Sequence, residues 1–191
     1  MFAKARNKLE DASILVDRLK QAEDGASFRV MFNSFLSSAR AITYALQKEG
    51  KHIDGFSEWY QEKREEMTQD ELLRFIHEAR TEDFHEGKSR LTFVMQIGQF
   101  GYDQAGAPPD PEAQLIVSGD GPYWVIYKGT EKEKRIPIRG SGDYRLIAWI
   151  RNAPTRHLGK SLEWNDPATL CECTVDYLAK LVYEAIEKFG S

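Results

Sequence analysis

Apolar and polar positions alternate along this chain with two different periods, and the change falls near residue 89. Before it, the spacing is helical. Leu9, Ile14, Leu15, Leu19 and Ala22 predict a first amphipathic helix over 4–22, which the stretch EDGAS interrupts. Phe28, Met31, Phe32, Phe35, Ala39, Ile42 and Leu46 then form one continuous stripe, so a long second helix is expected from about Ala26 to Lys48, with Gly50 as its stop. A shorter third helix follows HIDG, carrying Phe56, Trp59, Tyr60 and Met67 among many charges. Thr68 stands three residues before Glu71, the spacing of a capping box, and this predicts a fourth helix that starts near Thr68 and ends at Gly87. Leu72, Leu73, Ile76, Ala79 and Phe84 make up its expected buried face.

From Ser89 onward, LTFVMQI, LIVSGDGPYWVIY, RIPIR and LIAWI are rich in β-branched and aromatic residues, with the hairpin dipeptide Asp120-Gly121 inside the second run. A small antiparallel sheet is expected over 89–165, with a loop at Gly101–Pro111 and an irregular RNAPTRHLGKSLEW segment. Asp166-Pro167 then opens a last helix over 166–191, read from Leu170, Cys173, Tyr177, Leu181, Ala185 and Phe189. It packs on either the sheet or the bundle. The fold class is therefore α+β, a mainly helical bundle over 1–88 with a small antiparallel β-sheet inserted before a C-terminal helix.

Composition adds mostly exclusions. With 191 residues, 41% of them hydrophobic, the chain can bury a core. Its net charge of −4 gives no global basic footprint for a nucleic acid, so any such contact must be local. Cys171 and Cys173 sit one residue apart on a helix, face different ways and are expected to be reduced, as in a cytoplasmic protein. No long apolar run or signal-peptide core appears, so neither membrane insertion nor export is expected. GDGP and GSGD do not open helices, which removes a phosphate-loop reading. His77-Glu78 lacks the second histidine that a zinc protease helix needs, because position 81 is Thr81; no metal or cofactor is expected.

Two features remain for chemistry. On the fourth helix Leu73, Ile76, Arg80 and Phe84 share one three-and-four series, so Arg80 occupies a place that is ordinarily apolar. Its guanidinium must snorkel or find an anion; one reading is a structural ion pair with Asp83 or a glutamate across the bundle. His85 lies five residues on, roughly 140° around an ideal helix. The two side chains therefore converge only if the last turn unwinds or if a second copy of the helix supplies the partner. On the second helix Asn33, Ser37, Arg40 and Tyr44 form a polar seam beside the apolar stripe. In the sheet, Tyr123, Trp124, Tyr127 and Trp149 offer either a base-stacking platform or, more commonly at such spacing, core and strand pairing.

A late helix of a bundle carrying Arg80-Thr-Glu-Asp-Phe-His85, then Glu86-Gly87, resembles the HEPN superfamily of helical domains over about residues 4–88. The resemblance implies a homodimeric, metal-independent endoribonuclease, of the kind found in toxin–antitoxin and defence systems, with Arg80 and His85 of two subunits in a shared cleft. In that mechanism His85 moves the proton at the RNA 2′-hydroxyl or leaving oxygen, and Arg80 stabilises phosphate charge. Asn33, Ser37 and Arg40 would orient the substrate. Active members commonly carry Asn, Asp or His after the arginine, whereas this chain has Thr81. The second reading is accordingly a non-catalytic HEPN-like binding or regulatory module that takes a protein or small ligand through its β-sheet region, with Arg80 as a structural ion pair.

Overall fold

A computed structural model describes the whole chain apart from residues 100–107, 119–120, 139–142, 163–165 and 191. The chain divides into two compact units, one of residues 1–22, 26–91 and 150–191, the other of 23–25 and 92–149. The architecture is α+β and mainly helical, with small antiparallel sheets.

Among the described residues the first unit is built on five helices: α1 (Ala3–Lys20), α2 (Gly25–Gly50), α3 (Phe56–Gln69), α4 (Glu71–Glu86) and α5 (Pro167–Phe189). In α1 the buried residues are Ala5, Leu9, Ala12, Val16 and Leu19. Ile14, expected inside, is instead 45% exposed. The true stripe runs through two alanines that a search for large apolar residues passes over, and small side chains let α1 lie close to α5, with which it packs. Helix α5 buries Leu170, Cys171, Thr174, Tyr177, Leu178, Leu181, Val182, Ala185 and Phe189, so Cys171 rather than Cys173 faces the core. Asp166 caps it by accepting from the amides of Ala168 and Thr169. Its contacts with α1 and α4 place it in the helical unit.

An aromatic cluster joins three ends of this bundle. Phe56 at the start of α3 stacks on Phe2 and Tyr60 and meets Phe189 edge-on at 5.5 Å. Gly50 is required here, because a Cβ at that position would lie 2.3 Å from the Phe56 ring. The orphan amides at the start of α1 are satisfied from the far end of α2, where the Glu49 carboxylate accepts from Lys4 and Ala5.

The junction of α3 and α4 differs from the expected capping box. Thr68 lies inside α3 and its hydroxyl donates to the Arg64 carbonyl at 2.8 Å. The helix breaks at Asp70, whose extended backbone (φ −74°, ψ 129°) makes it the N-cap of α4, accepting from the Leu73 amide at 3.0 Å. The same carboxylate accepts from the Leu158 amide at 2.7 Å and contacts His157 Nδ1 at 3.0 Å. Glu71 accepts from the Thr155 amide and hydroxyl and from the Arg156 amide. These two carboxylates anchor a short hairpin, β6 (Arg156–His157) with β7 (Lys160–Ser161), that lies in the stretch expected to be irregular. Gly87 closes α4 in the left-handed conformation (φ 61°).

The second unit contains β1 (Leu91–Gln99) paired with β5 (Asp143–Ile150), and a three-stranded antiparallel sheet of β2 (Gln114–Ser118), β3 (Gly121–Ile126) and β4 (Lys134–Pro137). Ser118 pairs with Gly121, so β2 and β3 form the expected hairpin; Asp120 of the signal dipeptide and most of the Gly101–Pro111 stretch lie outside the described residues. Trp124 is buried between Leu115 and Ile136 in register, while Tyr127 and Trp149 are about half exposed. The four aromatics therefore do not share one open face.

Candidate anion-binding site

Four helices of the first unit line a pocket of about 500 Å³. Helix α2 contributes Leu36, Ala39, Arg40, Thr43 and Gln47; α3 contributes Tyr60, Arg64, Met67 and Thr68; α4 contributes Leu73, Arg74, Ile76, His77 and Arg80; Thr174 and Leu178 of α5 complete it. Burial separates a wall from a rim. Leu36, Ala39, Thr43, Tyr60, Leu73, Ile76, Thr174 and Leu178 are buried, whereas Arg40, Arg64, Arg74 and His77 are exposed. Arg80 lies between the two. Its Nε is fully buried with no hydrogen-bond partner among the described residues, and its guanidinium packs 4.6 Å from the centre of the Phe84 ring.

Among the described residues the lining holds four arginines and a histidine and no carboxylate. Arg74 is 4.0 Å from Glu78, but Arg40, Arg64 and Arg80 have no ion-pair partner among the described residues. Arg40 is steadied by the Thr43 hydroxyl at 3.1 Å. Burial pushes the Tyr60 phenol above its ordinary value, opposed by the positive charges of Arg40 and Arg64 and by its hydrogen bond to Thr43. In a chain of net charge −4, three unneutralised guanidiniums around one cavity form a local field suited to an anion.

Of the residues singled out from the sequence, the pocket brings together Arg80 and Arg40. Asn33 is committed elsewhere, donating to Asp83 at 2.6 Å. Ser37 is exposed and does not line the pocket. His85 is exposed on the last turn of α4, its ring edge-on to Phe84 at 5.1 Å and outside the pocket. Phe84, expected in the core, is 68% exposed because the buried stripe of α4 ends at Ala79 and the last turn projects past it. Arg64, Arg74 and His77 were not foreseen. Arg74, His77 and Arg80 do stand three apart on one helix, a visible signal, but only packing shows that Arg64 of α3 and Arg40 of α2 face the same space.

The stretch that builds this pocket has a known likeness. Residues 5–95 match the family model described as bacteriophage lambda protein ea47. That ea47-like stretch spans α1 to α4 and includes every pocket residue except Thr174 and Leu178. No curated protein and no solved structure matches the chain. No helix among the described residues is long and apolar enough to cross a membrane, and no cluster of three or more His, Cys, Asp or Glu there could hold a metal ion.

Proposed function

We propose that the helical unit is a HEPN-like, non-catalytic binding module that holds a small anionic ligand in the arginine-rimmed pocket. The observation that carries this is Arg80: a guanidinium whose Nε is buried and, among the described residues, unpartnered, on a cavity that these residues line with three further arginines and no acidic group. Guanidiniums around one cavity without a counter-charge suit an oxyanion, which supplies that charge and accepts charge-assisted hydrogen bonds from N–H groups. Calorimetric titration with inorganic phosphate tests the reading. Saturable binding that weakens at least tenfold in Arg80→Ala, with an unchanged circular dichroism spectrum, is expected; a phosphate affinity equal in wild type and variant would refute it.

The second reading is the dimeric metal-independent ribonuclease acting on RNA in the cytoplasm through Arg80 and His85. What favours it is the position of His85, exposed at the end of the helix that carries Arg80 and with no carboxylate partner among the described residues, where a second copy could reach it. Incubation of RNA with the purified protein and EDTA, alongside sedimentation to establish oligomeric state, separates the two. Cleavage by a dimer that disappears in both Arg80→Ala and His85→Ala selects the enzyme. Absence of cleavage together with Arg80-dependent phosphate binding selects the module.

A further inference from the structure

We infer that the ligand of this pocket has an oxyanion head and an apolar body, and that an alkyl or aryl phosphate fits it better than a nucleotide does. The inference rests on the anion-binding reading above and specifies the ligand class. Its first support is size. The cavity measures about 500 Å³. A single tetrahedral oxyanion displaces only a few waters at roughly 30 Å³ each, so a phosphate held at the guanidiniums leaves most of the space open.

The second support is the chemistry of the wall behind the arginines. Leu36, Ala39, Leu73, Ile76 and Leu178 are all under 9% exposed and offer only hydrocarbon. The three hydroxyls on that wall have committed their protons to backbone carbonyls: Thr43 to Arg40, Tyr60 to Thr43 and Thr174 to Leu170. The wall therefore has no free hydrogen-bond donor. An adenine ring pressed against it would bury ring-nitrogen acceptors without partners, whereas a hydrocarbon chain or a phenyl ring loses nothing there. Charge sits at the rim and apolar surface at depth, which sets the orientation of the ligand: head toward Arg40, Arg64 and Arg80, body toward Leu36 and Leu178.

The experiment is a calorimetric titration of the full chain with inorganic phosphate, methyl, propyl and hexyl phosphate, phenyl phosphate and AMP, all at a pH where each is dianionic. Affinity is expected to rise roughly fourfold for each methylene that enters the apolar end, and AMP is expected to bind no more tightly than methyl phosphate. Arg80→Ala should lower the whole series by a similar factor and leave its slope intact. Ala39→Leu, which narrows the wall, should flatten the slope; if that variant does not fold, the wild-type series decides by itself. A flat series with Arg80-dependent phosphate binding overturns the inference and leaves the anion site standing, as does AMP binding more tightly than hexyl phosphate. No binding by any member overturns both.

Discussion

Replacing Asp70 by alanine should destabilise the helical unit far more than replacing Thr68, although Thr68 holds the sequence position of a capping residue. The Asp70 side chain is 6% exposed and makes three contacts, to the Leu73 amide, the Leu158 amide and His157 Nδ1. Loss of an N-cap costs about 1 kcal/mol. The other two contacts involve a charged acceptor, and hydrogen bonds of that kind contribute roughly 1.5–3 kcal/mol each where water is excluded, less where the donor can turn to solvent as the Leu158 amide can. A total of about 3 kcal/mol follows, or a fall in Tm of roughly 6–12 °C for a chain of this size. Thr68→Ala removes only an exposed hydroxyl bonded within its own helix turn and should stay within about 0.5 kcal/mol. Thermal melts of the two variants, with hydrogen exchange at Leu158, make the comparison. Equal Tm shifts, or unchanged protection at Leu158 in Asp70→Ala, would mean that the hairpin is not anchored through this carboxylate.

Acid should expose the same anchor. Burial pushes the Asp70 carboxyl up, but hydrogen bonds from Leu158, His157 and Leu73 outweigh it and hold the group below its ordinary value. With the folded-state pKa depressed, its stabilisation is fully present above the unfolded value of about 3.9 and is lost as pH falls through the lower folded value. The Tm difference between wild type and Asp70→Asn should therefore shrink as pH falls below about 4; a difference that does not shrink there would rule out the charge as its source. Gly50→Ala should lower stability by about 1–3 kcal/mol or more, as overpacking does, because the new methyl would meet the Phe56 ring. Phe56→Leu in the same chain should recover part of that loss, and a Gly50→Ala protein as stable as wild type would contradict the close approach.

Much of the fold follows from local chemistry and so was legible in the sequence. The stripe from Phe28 to Leu46, the Asp166-Pro167 start of α5, the left-handed Gly87 and the period-two runs of β2 and β3 are short-range signals, each governed by neighbours within a turn or a hairpin. The errors have the same cause. Asp70 and Thr68 are equally good local caps, and the choice between them depends on Leu158 and His157, nearly ninety residues away. Ile14 and Phe84 satisfy helical spacing, yet burial depends on which neighbour is present, and the two are 45% and 68% exposed.

The site divides the same way. The sequence by itself showed that Arg80 breaks an apolar series and therefore needs an anion or solvent, and its helical spacing already set His85 on another face. Only the tertiary structure decided that Asn33 is taken by Asp83 and that Arg40, Arg64 and Arg74 converge with Arg80 on one cavity without a carboxylate. A residue's position on its own helix is set by a repeat of 3.6 residues, but the convergence of three helices depends on how their faces pack, which no single repeat encodes.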